Sequence, residues 1–501
     1  MSIGEPITLL AKEAPVNVQI AWDVIEWHRV ITNINKLQFR IAKAVKEEKR
    51  HLVKRLQYLL KNSFFAKLHS VLKVTSNKGK RTPGIDGILW KTSERKLKAA
   101  LSLTNKSYKA KPLKRTFIEK KGKKKKRPLG IPTMYDRAMQ ALHALTLEPV
   151  SEITADRSSF GFRKFRSAND AAEHAFNCLA LKNRATWILE GDIKGCFDHI
   201  NHDWLLDNIP MDKRILKEFL KSGFVYQNKL SPTESGTPQG GIISPILANM
   251  TLDGMEKVVK ERYWSCKTGT IDKNHNKHKV NFIRYADDFI VTADSKEVAE
   301  DVKLIIAGFL ASRGLALSEE KTRITHIDDG FDFLGWNFRK YRGKLLIKPS
   351  KSSSKSIADK VRLLIKKHGA IAQDDLIRIL NPVIRGWCNY HRSMVSKEAF
   401  KKLDSVLFIS LWKWARHRHP MKSRHWVKDK YWTRIGDRDW IFSSKKNTLY
   451  IAGRTKIVRH YMVRLDKNPF LKEDQEYFVK RSDKQKMWKT TAASIFDARL
   501  R

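Results

Sequence analysis

The sequence predicts an α+β fold in which a centre of alternating strands and helices lies between helical, strongly basic flanks. Three observations carry that expectation. Apolar runs of strand character, Thr186 to Leu189 and Val280 to Thr292, are separated by helical sequence. Between Asp294 and Gly314 lies a bounded helix: Asp294 is placed to cap it with Glu297 three residues on, and Val298, Val302, Ile305 and Phe309 share its apolar face. Lys and Arg number 99 against 52 Asp and Glu, a formal charge of +47, so the chain needs a polyanionic partner to offset its self-repulsion.

Taken in order, Ile34, Leu37, Ile41 and Val45 fall on one helical face, and Leu52, Leu56, Leu59 and Leu60 extend the pattern into a basic helical N-terminal region. Thr82-Pro83-Gly84-Ile85-Asp86-Gly87 breaks it before a second helical stretch around Glu94 to Ala100. Residues 111–127 hold ten Lys or Arg and one Glu, ending at Pro128-Leu129-Gly130-Ile131-Pro132. Gly236-Thr237-Pro238-Gln239-Gly240-Gly241 reads as a loop that lets backbone approach a ligand, followed by a helix with Pro245 near its first position. Lys351 to Ser356 reads as a polar linker into a mostly helical remainder. There, residues 412–432 interleave Trp412, Trp414, Trp426, Tyr431 and Trp432 with seven Lys or Arg.

At 42% hydrophobic residues the chain can build real cores, and 501 residues suggest roughly three to four domains. Cys178, Cys196, Cys266 and Cys388 are too scattered for a disulfide framework or a zinc ribbon. Met1 to Ala14 lacks a secretory pattern, and no run approaches the roughly 18 apolar residues of a membrane span. A cytoplasmic protein with no membrane partner is expected.

The acids carry the chemistry. In Phe282-Ile283-Arg284-Tyr285-Ala286-Asp287-Asp288-Phe289-Ile290-Val291, two adjacent carboxylates interrupt an apolar strand, where burial and like charge both oppose them. A tight hairpin with the acids at its tip, neutralised by divalent metal, resolves that conflict. Asp192 ends the other strand, with Glu190 and Asp198 as alternative acids nearby; Glu190 shares the face of Asp192, so alternation leaves it open. Two strands delivering carboxylates to one edge suit two-metal phosphoryl transfer.

The order of Asp192, the Gly/Pro/Gln loop and Tyr285 to Asp288 resembles the palm of a reverse transcriptase. Arg127 to Pro132, Ser159-Phe160-Gly161-Phe162-Arg163, Leu317 to Thr322 and Phe333-Leu334-Gly335-Trp336 extend the similarity to the group II intron type, and Thr82 to Gly87 resembles that class's extra N-terminal block. The resemblance implies a right-hand polymerase. Its parts would be a basic helical extension (1–80), fingers (81–185), palm (186–345), a helical thumb or maturase domain (346–410) and a small basic DNA-binding region (411–501).

It further implies that Asp192, Asp287 and Asp288 hold two Mg²⁺ ions. Arg127, with Lys120 or Lys121, would grip the triphosphate. Ile193, Gln239 and Lys321 would line the nucleotide site, and Phe197 would be the gate that rejects a ribose 2′ hydroxyl. Lys123, Lys124, Lys125 and Lys126 would meet RNA. So would Arg385 and Arg392 in Asn381 to Arg392, where Ile384, Trp387 and Tyr390 read as bundle core. Lys413, Arg416 and Arg418 would bind target DNA. Partners implied are the group II intron RNA, a template RNA with its DNA primer, target DNA and dNTPs.

The His-Asn-His endonuclease domain of related proteins carries C-x-x-C pairs, which this sequence lacks up to Arg501, so no cutting of the second DNA strand is expected. His199-Ile200-Asn201-His202-Asp203 reads as palm structure, and His275 and His278 as a solvated loop. Two other readings compete: a splicing maturase with an idle polymerase, and RNA-directed RNA synthesis. The retained acids weigh against the first and Phe197 against the second.

Overall fold

The structure, a computed structural model, describes residues 22–119, 126–266, 268–436 and 438–485. Near its start come α1 (Trp27–Lys46), α2 (Arg50–Asn62), α3 (Phe64–Ser76) and α4 (Ser93–Ser102). The strands β1 (Leu113–Glu119) and β2 (Lys126–Ile131) form an antiparallel hairpin ahead of the long helix α5 (Met134–Thr154). α1 buries Ile34 and Ile41 as its periodicity requires. On α2 the buried stripe is Val53, Leu56, Gln57 and Leu60, which leaves Leu52 and Leu59 exposed.

The first helices pack against α5, and the reason is partly polar. Pro149 lies inside α5 and has no N–H for the Leu145 carbonyl one turn back; buried Gln38 of α1 donates to that carbonyl instead, at 2.7 Å. One hydrophobic core accordingly runs from Trp22 through α5 to Leu315.

Next come α6 (Ala168–Leu179), β3 (Trp187–Asp192), α7 (Cys196–His199), α8 (His202–Asn208), α9 (Lys213–Leu220) and the short strands β4 (Phe224–Tyr226) and β5 (Lys229–Ser231). β4 and β5 extend the finger hairpin into a sheet of order β2-β1-β4-β5. Then follow α10 (Ser244–Leu252), α11 (Met255–Tyr263), β6 (Asn281–Tyr285), β7 (Asp288–Ala293), α12 (Lys296–Ala311) and β8 (Arg323–His326). A second four-stranded sheet is antiparallel in the order β6-β7-β3-β8, with α12 across β3 and β7.

Two local expectations need correction here. Ser295, not Asp294, caps α12: its hydroxyl accepts from Val298 N–H, while Asp294 pairs with His278. The face of α12 that is fully buried is Ala299, Val302, Ile306 and Leu310, so Ile305 and Phe309 flank the stripe rather than form it.

A three-stranded sheet of β9 (Phe331–Phe333), β10 (Trp336–Tyr341) and β11 (Lys344–Pro349) leads to α13 (Lys351–Lys367), α14 (Gln373–His391), α15 (Lys397–Arg418) and α16 (Arg424–Tyr431). Residues 351–356 are therefore the opening of a helix and not a linker. Ser350 caps it, and Ile357, Val361 and Ile365 bury its inner face, which outweighs the modest helix propensity of its serines. The hairpin β12 (Trp432–Ile435) and β13 (Arg438–Phe442) closes the helical unit. Beyond it the chain returns to α5 and α6, where Arg481 pairs with buried Asp170 at 2.6 Å and Asn468 donates to the Glu152 carbonyl.

Candidate active site

The acids meet because of strand register. β3 and β7 pair antiparallel so that Asp192 stands opposite Asp288, and β6 and β7 pair with Tyr285 opposite Asp288, leaving Ala286 and Asp287 as the turn. Ala286 has a φ of 58°, a left-handed conformation that costs an alanine roughly 1–2 kcal/mol and persists only under external restraint.

The restraint lies beneath the turn. Arg284, fully buried, donates to the Ala286 carbonyl at 3.3 Å, to Asn249 Oδ1 at 3.2 Å and to Asp253 Oδ1 at 2.5 Å. Gly161 packs on the turn's far side so closely that a Cβ there would lie 2.3 Å from the Ala286 nitrogen. Sequence reasoning missed Arg284, Asn249 and Asp253 as supports. Arg284 had left one signal, a charge inside an apolar strand.

Desolvation and the neighbouring charges of Asp287 and Asp192 push the Asp288 carboxyl up to about 6, although the residue is exposed at the turn. Asp287 is likewise raised, by burial and then by Asp192, with Arg127 and Lys321 opposing. Lys321 makes an ion pair with Asp192 Oδ2 at 2.6 Å, held in place by the Ser318 N–H bond to the Asp192 carbonyl. Glu190 is spent differently, accepting from Thr325 at 2.7 Å further down the sheet.

The residues suit a hard divalent cation. Three carboxylates supply only oxygen donors, their mutual repulsion is what a cation would relieve, and buried Cys196 beside them is pushed up to about 12 and stays a neutral thiol. Among the described residues, no three His, Cys, Asp or Glu side chains are drawn tightly enough round one point to make a ready-made cage.

Beside the acids lies a cleft of about 470 Å³, walled by Arg115, Phe117, Pro128 and Gly130 of the finger hairpin and by Phe197, Asp198 and Gln239. The Gly/Pro/Gln loop is pinned from both sides: Thr237 N–H donates to the Phe197 carbonyl, Gly130 N–H to the Gln239 carbonyl, and Ile242 N–H to buried Gln140 of α5. Gln239 donates to Asp198 at 2.9 Å. Arg127 alternates with Pro128 and Gly130 on β2, so it leaves from the opposite face, on the side where its charge reaches Asp287. Arg115, unremarked in the sequence, stacks its guanidinium over Phe224 in the cleft wall.

The remaining candidates divide. Ile193 is 2% exposed, so its side chain belongs to the core and only its backbone reaches the acid edge. Lys126 is exposed on β2, whereas Lys120, Lys121, Lys123, Lys124 and Lys125 lie outside the described residues. Arg385 is exposed with its guanidinium over Tyr450, and half-buried Arg392 bonds Asn389. Lys413 is exposed, Arg416 bonds the Lys422 carbonyl, and Arg418 bonds the Gly369 and Ile371 carbonyls. Arg418 is thus a clamp of the helical unit, its guanidinium bonded to two loop carbonyls and lying over the Trp414 ring at 4.7 Å. Ile384 is core, but Tyr390 stacks on Trp336 at 4.5 Å and donates to the Leu334 carbonyl, docking the helices on the β9–β11 sheet. His202 bonds the Gly236 carbonyl, a structural role in the palm.

An antiparallel sheet that gathers three acids at one edge, beneath a basic finger hairpin, is the palm of a nucleotide-polymerising enzyme. Residues 118–338 match the family described as reverse transcriptase (RNA-dependent DNA polymerase), 22–103 its N-terminal domain, and 354–432 the group II intron maturase-specific domain. The chain is 30% identical over 445 residues to the group II intron-encoded protein LtrA of Lactococcus lactis subsp. cremoris, covering 70% of this chain and 72% of that protein. It is 30% identical over 308 residues to protein YkfC of Escherichia coli, covering 54% and 79%. A Candida albicans telomerase structure aligns at TM-score 0.37 and 13% identity over 63% of this chain and 62% of that one. The chain belongs to the group II intron-encoded reverse transcriptase/maturase family and is an RNA-directed DNA polymerase. No helix among the described residues is long and apolar enough to cross a membrane.

Proposed function

We propose that this polymerase copies its own group II intron RNA into DNA with two Mg²⁺ ions, and that it also binds that RNA to assist splicing. The observation that carries the reading is the β3–β7 register, which sets Asp192 opposite Asp288 with Asp287 on the adjoining turn. Those three carboxylates would hold the metal. Bound there, Mg²⁺ would supply charge to lower the pKa of the primer 3′ hydroxyl and to offset that of the triphosphate.

The chain's own residues do the rest. Lys321 screens Asp192 until substrate arrives and is then placed beside the primer end. Arg127, with Lys120 or Lys121, draws the triphosphate toward the acids. Gln239, held by its backbone and by Asp198, lies where the nascent base pair would form. Phe197 projects beside it and discriminates against a 2′ hydroxyl. In this reading the fingers are 81–185 and the palm 186–345; the thumb opens at 346 and runs past the expected boundary at 410, since α15 is unbroken from Lys397 to Arg418, and the basic remainder to 501 would carry target DNA. Support for the RNA role comes from the +47 charge and the matched maturase domain.

Primer extension on an RNA template tests this. With Mg²⁺ and dNTPs the protein is expected to extend a DNA primer, to use rNTPs poorly, and to lose extension in Asp192→Asn. Preference for rNTPs, or undiminished extension by that variant, would overturn the reading.

A further inference from the structure

Phe162 is bulky, its φ is 59°, and the residue is 55% exposed, a combination that folding alone would not choose. The backbone is forced into that conformation from both sides. Before it, Asn249 donates to the Gly161 carbonyl at 2.8 Å while Gly161 lies against the acid turn. After it, Arg163 is buried in a fork on Glu152 at 2.6 and 2.9 Å and also donates to the Asp156 and Ser159 carbonyls. Phe165, the other left-handed aromatic of this loop, is explained by packing on Phe478 at 5.0 Å. The ring partner of Phe162 is Phe197, met edge-on at 6.3 Å and 79°.

We infer that Phe162 is a specificity-determining positioning residue: its ring braces Phe197 against swinging away from the sugar of an incoming nucleotide. The inference rests on the reading of Phe197 as the sugar gate. Phe197 is half-buried on a four-residue helix: it packs inward on the core and also forms part of the cleft wall, where the core does not cover it. An edge-to-face ring supplies the missing wall, and the rigid loop that presents it is anchored to the same turn that carries Asp287. The substrate feature sensed is the 2′ hydroxyl; dNTP binding itself needs only Phe197 in its resting position.

The test compares incorporation of one rNTP and its dNTP on an RNA template by the full protein, Phe197→Ala, Phe162→Gly, Phe162→Asn and Phe162→Tyr. Glycine and asparagine both tolerate a positive φ, so the melting temperature should hold in both while the ring is removed. The expected result is a rise in the rNTP-to-dNTP ratio of kcat/KM of roughly 3- to 10-fold in both, carried mainly by rNTP, with Tyr retaining discrimination. A ratio within about twofold of the parent in both variants, when Phe197→Ala raises it, would overturn this inference alone. No change in Phe197→Ala would overturn the gate and the brace together, and absence of DNA synthesis by the parent would overturn the broader reading.

Discussion

The residues that stand out most in this sequence lie in two stretches, the acids of β3 and the β6–β7 turn and the tryptophans and arginines of 412–432, and the fold treats them in opposite ways. At the acid edge, three carboxylates crowd together against their own solvation, over a strained alanine, with Arg284 buried to hold the turn. In 412–432 the same kinds of conspicuous side chain are mostly consumed by structure. Trp414 donates to the His368 carbonyl, Tyr431 and Trp432 are core, and Arg418 ties down two carbonyls. Residues that violate folding preferences are the ones to suspect of chemistry. Residues that satisfy them, however striking their composition, are first of all scaffold.

Removing the support of the acid turn should break that comparison most visibly. Arg284→Leu strips the buried Asp253 carboxyl of its guanidinium, leaving it only the long Asp156 N–H bond, and frees the Ala286 carbonyl; it should cost about 3–5 kcal/mol in urea denaturation along with most of the activity. Loss of activity without loss of stability would mean that Arg284 acts in the reaction and not beneath it.

The next effect is one of pH. Asp288 is raised from 3.8 to about 6, so the folded state binds its proton more tightly than the unfolded chain. Metal-free stability should therefore be full below about pH 4 and fall as pH climbs through 6. Asp288→Asn removes that loss: its melting temperature in chelator should equal the parent's near pH 4 and exceed it by roughly 2–4 °C at pH 7. A variant less stable than the parent at pH 7 would show that the acids are not mutually strained. Activity should decline below about pH 6, as protons compete for the same carboxylates.

A smaller contrast separates scaffold from nucleic-acid contact within the helical unit. Arg418→Ala should cost about 1–3 kcal/mol and leave the salt dependence of target-DNA binding unchanged. Lys413→Ala, at an exposed position, should cost less than about 0.5 kcal/mol and reduce the log-log salt slope by roughly 0.7–0.9. Exchanged outcomes would reverse the roles given to the two residues.

Much of the palm was legible because its signals are local. The strand runs, the acid pair and the Gly/Pro/Gln loop announce themselves over ten residues, and antiparallel register then fixes Asp192 opposite Asp288. What stayed hidden depends on distant partners. Gln38 matters only because Pro149, more than a hundred residues on, leaves a carbonyl free. The cap of α12 moved from Asp294 to Ser295 because Asp294 is occupied by His278 from across a loop. Residues 351–356 were polar enough to pass for a linker, yet one serine cap and three buried aliphatics suffice to make them helix. Arg385 and Arg418 look alike in sequence and differ only in whether backbone carbonyls lie within reach.

Mn²⁺, a paramagnetic stand-in for Mg²⁺, tests most directly whether the three acids together hold two cations. The measurement is an electron paramagnetic resonance titration of the protein carrying an RNA template, a chain-terminated DNA primer and the next dNTP. Two tightly bound Mn²⁺ per complex are expected, and their loss in Asp287→Asn/Asp288→Asn. Equal Mn²⁺ binding by parent and double variant would contradict it.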